Sequence, residues 1–91
     1  DWWAKTGNIA LEYECNGKPS GITATTSDYW IHILAKDKKN HCMLVFEVSR
    51  LKKIVKKYKD THTRMVGDGG RSKCVILPIK KLFDKDTVCI N

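Results

Sequence analysis

Acidic, histidine and arginine side chains of this chain supply the groups that metal-free cleavage of RNA requires. That reaction takes a base at the 2′-hydroxyl, an acid at the leaving 5′-oxygen and cations at the phosphate. The candidates are Glu12, Glu14 and Glu47 as bases, His32, His41 and His62 as acids, and Arg50, Arg64 and Arg71 as cations. Nothing in their spacing requires them to converge, so the sequence supplies the residue types without indicating a site.

The cysteines constrain the chain most strongly. Four cysteines in 91 residues are typical of a disulfide-stapled, secreted domain, and a start at Asp1 without Met fits a processed secreted protein. Cys15, Cys42, Cys74 and Cys89 are far apart, and no pair has the C-x-x-C spacing of a zinc knuckle. We therefore expect no metal and no cofactor. The sequence permits three disulfide connectivities.

Positive charge is concentrated in one part of the chain. The formal net charge of the chain is +7. Residues 50–81 have a net charge of +9, and the remaining residues have a net charge of −2. Such asymmetry favours an anionic partner: nucleic acid, membrane headgroups or an acidic protein face. The candidate contact residues are Lys52, Lys53, Lys56, Lys57, Arg64, Arg71 and Lys73, with Tyr58 available to stack on a base. The alternative is a solvated helix face without a function.

Two segments have the spacing of helices. Between residues 29 and 38 there is no Gly or Pro, and Trp30, Ile33 and Leu34 recur at helical spacing, which predicts the main helix. Between residues 50 and 59, apolar residues again recur at helical spacing, at Leu51, Ile54, Val55 and Tyr58, with five lysines on the opposite face. This pattern predicts either a second, short basic helix or a strand with its loop; we favour the helix.

The other segments predict strands. Residues 9–15 alternate in polarity, the following Asn16-Gly17 indicates a tight turn, and residues 22–26 predict a return strand. Residues 41–48 and 74–79 predict buried strands, with Pro78 at an end, and residues 87–90 predict a short final strand. The expected fold is α+β, an antiparallel sheet of four to six strands packed with one main helix, in a single domain over residues 1–91. No apolar run is long enough to span a bilayer.

A short motif near the start carries a family resemblance. Tyr13-Glu14-Cys15, followed by Asn16-Gly17, resembles the Y/F/W-x-C motif of small secreted effectors from cereal powdery mildew fungi. In that family a second cysteine lies a few residues from the C-terminus, where this chain has Cys89. The resemblance covers mainly the first 38 residues and the last few.

The resemblance implies an RNase-like fold that lacks the catalytic residues. In the related ribonucleases the acid histidine lies on a late strand, whereas no histidine follows His62 here. We hypothesise the pairings Cys15–Cys89 and Cys42–Cys74. For the first pair, loop entropy alone gives a stabilisation of roughly 4 to 5 kcal/mol.

The function implied by the resemblance is that of a non-enzymatic effector delivered into the host cell. It would suppress plant immunity by binding host proteins, be recognised in some hosts by an intracellular immune receptor, and bind RNA non-specifically. We expect a monomer. Two alternatives from other classes are an active secreted ribonuclease or ribotoxin, and a basic killer toxin or antimicrobial protein acting on membranes.

Overall fold

The computed structural model describes residues 2–88, which form three helices, six strands and three short 3-10 turns. The helices are α1 (Trp2–Thr6), α2 (Val48–His62) and α3 (Lys85–Val88). The strands are β1 (Asn8–Cys15), β2 (Lys18–Pro19), β3 (Tyr29–Lys36), β4 (Lys39–Glu47), β5 (Thr63–Val66) and β6 (Ser72–Pro78). The 3-10 turns are Gly21–Thr23, Asp68–Gly70 and Ile79–Phe83.

The larger sheet has four antiparallel strands in the order β2-β1-β6-β5. Its longest pairing joins β1 to β6, from Asn8 opposite Pro78 to Cys15 opposite Ser72. Ile9 and Leu11 alternate with more polar neighbours and are both 2% exposed, which confirms the half-buried strand predicted over residues 9–15. The strand predicted over residues 74–79 is also confirmed as β6, and it ends at Pro78.

The main helix is α2, the segment predicted as the second, short basic helix. Its apolar positions Leu51, Ile54, Val55 and Tyr58 are all buried in the core, while its lysines are exposed. The helix is confirmed over the strand alternative, and it is longer than predicted. The spacing of its apolar residues places them on one buried face of the helix, with the lysines exposed.

Residues 29–36 form a strand, so the helix predicted over residues 29–38 is wrong. Trp30 and Leu34 point inward, but His32 between them is also on the inner face and Ile33 is exposed, which is the period of a strand. A spacing of four residues satisfies both a helix and a strand, and the β-branched and aromatic residues of this segment favour the strand. A strand is confirmed as β4, but it is not the buried strand predicted over residues 41–48, since Leu44 and Phe46 are half-buried, the rest of β4 is exposed and Val48 begins α2.

The return strand predicted over residues 22–26 is also wrong, because the chain forms a 3-10 turn at Gly21–Thr23 and the strand that pairs with β1 there is only Lys18–Pro19. Ile22 is fully buried in this turn. The Thr23 hydroxyl donates to the carbonyl oxygens of Tyr13 and Ser20, which holds the turn against β1. Threonine can thus stabilise a turn through its hydroxyl as well as a strand through its branched side chain.

The final strand predicted over residues 87–90 does not form at residues 87 and 88, which belong to α3; residues 89 and 90 lie outside the described part of the chain. The fold class is confirmed: an antiparallel four-stranded sheet, a two-stranded sheet and one main helix form a compact α+β globule. No helix within residues 2–88 is long and apolar enough to cross a membrane.

Candidate binding surfaces

The cysteines of the described segment do not form the bridge that the sequence predicted between Cys42 and Cys74, since both are free thiols. Cys42 is exposed on β4 of the small sheet, whereas Cys74 is buried at the centre of the large sheet. Both cysteines lie in strands, as predicted, but in different sheets. Cys15 is a free thiol as well, and its predicted partner Cys89 lies outside the described residues.

The Cys74 thiol has no reactive character. Burial raises its pKa, and the negative charge of Glu12, opposite it on β1, raises the pKa further. A thiol with a raised pKa is protonated near neutral pH and is a poor nucleophile. Cys74 therefore belongs to the packing of the large sheet.

The candidate acids for RNA cleavage are spread over two elements. His32 and His41 lie on the hairpin formed by β3 and β4, and His62 is the last residue of α2. Desolvation by burial lowers the pKa of His32, which favours its neutral form. The His41 and Trp3 rings form an edge-to-face contact with their centroids 6.5 Å apart. Because Trp3 packs against the core, His41 lies on the outer side of this contact.

One groove brings a candidate acid and a candidate cation together. His62 and Arg64 line a cleft of about 280 Å³ with Asn8, Pro78 and neighbouring residues, and none of its lining residues is a carboxylate. Glu12 on β1 and Arg64 on β5 both lie opposite Cys74 of β6, the strand between them. The acid, the base and the cation that RNA cleavage needs are thus not assembled in this groove.

The other candidate bases have different surroundings. Glu14 forms an ion pair with Lys73 at 3.1 Å, and Glu47 lies at the far end of the hairpin, where β4 passes into α2. Within residues 2–88 no three His, Cys, Asp or Glu side chains lie close enough together to hold a metal ion.

The lysines of α2 form an exposed basic face. Lys52, Lys53, Lys56 and Lys57 all project from the helix on the side away from its buried residues. The Lys52 ammonium donates to the Thr25 carbonyl oxygen at 3.4 Å, which ties the start of the helix to the preceding loop. The helix is fixed in place by its core residues, so the spacing of these charges is preset.

Tyr58 cannot stack on a base, contrary to the sequence-based expectation. It is 7% exposed, and its hydroxyl is hydrogen-bonded to the Thr87 hydroxyl at 3.1 Å. Two ammonium groups instead lie over its ring: that of Lys57 is 5.3 Å from the ring centroid, and that of Lys81 is 5.8 Å from it. Cation–π contacts of this length are attractive, so the Tyr58 ring favours the positions of both ammonium groups.

The Tyr58 ring therefore connects the helix to the turn Ile79–Phe83. We call the α2 lysines the basic surface: Lys52, Lys53, Lys56 and Lys57; Lys81 is not included, because its ammonium forms an ion pair with Asp84 at 2.9 Å. Phe83 in the same turn is 63% exposed, an aromatic side chain that the sequence analysis did not single out. Leu82, the residue before it, is buried, so the turn places these two successive apolar side chains on opposite sides.

The remaining basic candidates lie near the turn between β5 and β6. Lys73 is occupied by Glu14, and this ion pair raises the Lys73 pKa. Arg71 precedes β6, and its carbonyl oxygen accepts a hydrogen bond from the Asn16 amide at 3.1 Å. Arg64 is exposed on β5. None of these three residues lies on α2, so the basic candidates do not form one site.

A second surface was missed entirely by the sequence analysis. The outer face of the hairpin carries five large apolar side chains: Tyr29 (65% exposed), Ile31 (57%), Ile33 (49%), Met43 (62%) and Val45 (61%). We call these five residues the hairpin face. Ile31 lies opposite Val45 and Ile33 opposite Met43, so the side chains form two adjacent cross-strand rows. A segment predicted as a helix could not show this alignment.

The basic surface and the hairpin face are two exposed features of the fold that suit binding. A comparison of the chain with known protein families, with curated proteins and with solved structures gives no match. The resemblance to powdery mildew effectors and the RNase-like assignment thus stay predictions from the sequence.

Proposed function

We propose that this protein is a non-catalytic binding protein whose basic surface docks onto an anionic partner in a host cell. The biological setting that we propose is the one the sequence motif implies: a secreted fungal effector that suppresses plant immunity and is recognised in some hosts by intracellular immune receptors. The partner is defined by its chemistry, an array of negative charges. An acidic host protein surface and an RNA backbone both present such an array.

The observation that carries this proposal is the arrangement of lysines on α2. Lys52 and Lys56, like Lys53 and Lys57, are four residues apart and therefore neighbours on the helix surface. Each like-charged pair costs the helix about 0.2 to 0.5 kcal/mol. The fold does not require this cost, because the buried side of the helix already anchors it. An anionic ligand would remove the repulsion and gain from every lysine it contacts.

Among the side chains that the structure describes, an acid, a base and a cation are not assembled in one place, which supports a binding role over catalysis. His62 and Arg64 share a groove, yet the lining of that groove includes no carboxylate, and the other histidines lie on the hairpin. Electrostatic binding needs no such convergence; it needs exposed charge at a fixed spacing, which α2 supplies.

The first experiment incubates the oxidised protein with RNA in the absence of metal and follows both cleavage and retardation on a gel. We expect intact RNA that is retarded at low salt and released as salt rises, because binding by lysines releases counterions. A parallel arm uses polyglutamate as competitor, and stronger competition by polyglutamate than by RNA identifies an acidic protein surface as the preferred partner. Cleavage that His62→Ala abolishes would replace this proposal with a ribonuclease.

Matched variants locate the binding surface. Lys53→Glu combined with Lys56→Glu should abolish retardation of RNA and binding of polyglutamate. Lys5→Glu combined with Lys18→Glu changes the net charge equally at exposed positions outside α2 and should leave most of the binding. Equal loss in both double variants would show that net charge alone is responsible, and an unchanged shift in the α2 variant would refute a role for the basic surface.

A further inference from the structure

The hairpin formed by β3 and β4 is apolar on both of its faces. Its inner face packs Trp30, Leu34, Leu44 and Phe46 against the core, and its outer face is the hairpin face, which the described part of the chain leaves uncovered. Antiparallel sheets with one side on a core usually present polar residues on the other side. Strands that are apolar on both faces are typical of sheets covered on both sides.

We propose that the hairpin face is covered by the hairpin face of a second copy of this chain, in a twofold dimer with the two hairpins antiparallel. The interface is thus a two-layered sandwich of two-stranded sheets, each of which already has its other face on its own core. Face-to-face sheets pack about 10 Å apart with interdigitated side chains. The proposal does not depend on the basic surface or on the anionic partner.

The charges at the two ends of the hairpin favour a second copy in this orientation. The tip, where β3 turns into β4, carries Lys36, Lys38 and Lys39 against the single acid Asp37. The base carries Asp28 and Glu47. A twofold axis in the plane of the interface and perpendicular to the strands places the basic tip of each copy over the acidic base of the other. Parallel hairpins would instead bring the two basic tips together.

A groove at the base has room for a tip lysine. It measures about 330 Å³ and is lined by Asp28, Tyr29, Glu47 and neighbouring residues. Lys52 also lines it, but the Lys52 ammonium is directed to the Thr25 carbonyl oxygen. A lysine from a second copy would thus meet two carboxylates and one ammonium, a net charge of −1.

The side chains of the hairpin face fit the same axis. If the axis passes between the Ile31–Val45 row and the Ile33–Met43 row, each row lies over the other row of the second copy. Tyr29 then lies over Ala35, because these residues are equally distant from the axis on β3 and point to the same face. A large ring placed over a small side chain is the alternation that lets two layers interdigitate.

The area is sufficient for association. The five side chains expose roughly 500 Å² of mostly apolar surface, within the range of the largest patches on monomeric proteins, about 300 to 600 Å². Two copies with their charged ends would bury roughly 1,200 Å², the lower end of the range for specific interfaces. The structure therefore points to a dimer that dissociates on dilution.

Sedimentation equilibrium of the whole protein over a range of concentrations tests this inference. We expect a mass of twice 10.4 kDa at high concentration and a monomer on dilution. Ile31→Lys should weaken the dimer by more than about tenfold, because the twofold axis introduces two buried charges at the centre of the interface. Met65→Lys is the matched control, since Met65 is 53% exposed but lies on β5 of the large sheet, and it should dimerise normally.

Charge reversal tests the orientation. Glu47→Lys alone should weaken the dimer, and adding Lys39→Glu to the same chain should restore it, because base and tip then attract again with opposite signs. Circular dichroism establishes that each variant is folded, and Val45→Lys replaces Ile31→Lys if the latter is not. A monomer at all concentrations, or a dimer that Met65→Lys disrupts and Ile31→Lys does not, would overturn the dimer. Failure of Lys39→Glu to restore association would overturn the antiparallel arrangement.

Discussion

At the scale of single residues, the environment of a side chain decides its role more than its type does. Tyr58 has the aromatic ring expected of a stacking residue, but its ring is buried and makes cation–π contacts with Lys57 and Lys81 instead. The sequence gives no direct sign of this, because Tyr58 continues the apolar stripe of α2 and at the same time follows a run of lysines. Phe83, outside any such stripe, has an exposed ring.

Gly21 is a residue whose role only the structure shows. Its φ is +53°, and a Cβ there would overlap the Glu12 carbonyl group of the adjacent strand. We expect Gly21→Ala to lower the free energy of unfolding by about 2 to 4 kcal/mol, from backbone strain and displacement of β1. Urea unfolding measures the loss.

Gly17→Ala is the control for Gly21→Ala. Gly17 has a φ of +76°, but a Cβ there has nothing within 4 Å, so this substitution carries only the backbone strain, about 1 kcal/mol. Equal losses in the two variants would show that the close approach to Glu12 contributes nothing.

At the scale of elements, patterns with an unambiguous period were predictable from the sequence and those compatible with two periods were not. β1 has buried residues at a spacing that only a strand satisfies, and this prediction was confirmed; for α2 the sequence left a helix and a strand with its loop open, and the favoured helix was confirmed. In β3, Trp30 and Leu34 fit both periods, and the choice depended on whether Ile33 faces the core. That choice depends on packing against β4, a non-local contact that no local window contains. Because residues 29–38 were predicted as a helix, the hairpin face was not predicted either.

The small hairpin also makes stability depend on pH. Burial on its inner face lowers the pKa of His32, so the unfolded chain binds a proton more readily than the folded one. The stabilisation from a neutral His32 is therefore complete above the unfolded pKa, about 6.5, and is lost as the pH falls through the lower folded pKa. We expect the urea midpoint to fall as the pH is lowered from neutral to about 5.

The variant His32→Phe should flatten this dependence while keeping an apolar ring opposite Leu44. The pKa of Asp84 is lowered from its usual value of 3.8, chiefly by the hydrogen bond to Lys81. The stability that the Asp84 carboxylate contributes is therefore lost only at a more acidic pH, below 3.8. An unchanged slope between neutral pH and pH 5 in His32→Phe would show that other groups cause the dependence.

At the scale of the whole molecule, the core holds the two sheets and α2 together without a bridge between Cys42 and Cys74. Buried residues of β1, β6 and α2 form one cluster, and Trp30, Leu44 and Phe46 of the hairpin pack against it. Trp3 adds a polar link, because its indole N–H donates to the Ala35 carbonyl oxygen at 2.6 Å. The number of cysteines predicted a disulfide between strands, but the spacing of cysteines along the sequence does not say which strands share a sheet.

Removing the Cys42 thiol tests this description of the whole molecule. The predicted bridge to Cys74 would close a loop whose entropy is worth about 3 to 4 kcal/mol, so its loss would be obvious in an unfolding curve. Because both thiols are free and Cys42 is exposed, we expect Cys42→Ser to change the free energy of unfolding by less than about 0.5 kcal/mol.

Alkylation of the native protein supplies an independent measurement. Without reductant, iodoacetamide should modify Cys42 promptly and Cys74 only after unfolding, because the Cys74 side chain is 5% exposed and its pKa is raised. Cys15→Ser is the informative comparison, since a bridge from Cys15 to Cys89 would make that variant much less stable while Cys42→Ser is not. A large loss in Cys42→Ser, with Cys42 protected from alkylation until reductant is added, would restore the disulfide and require the hairpin to lie against the large sheet at β6. That arrangement would also bring Cys42 towards Glu12 and Arg64, so the same experiment decides whether the hairpin has one position in the fold or two.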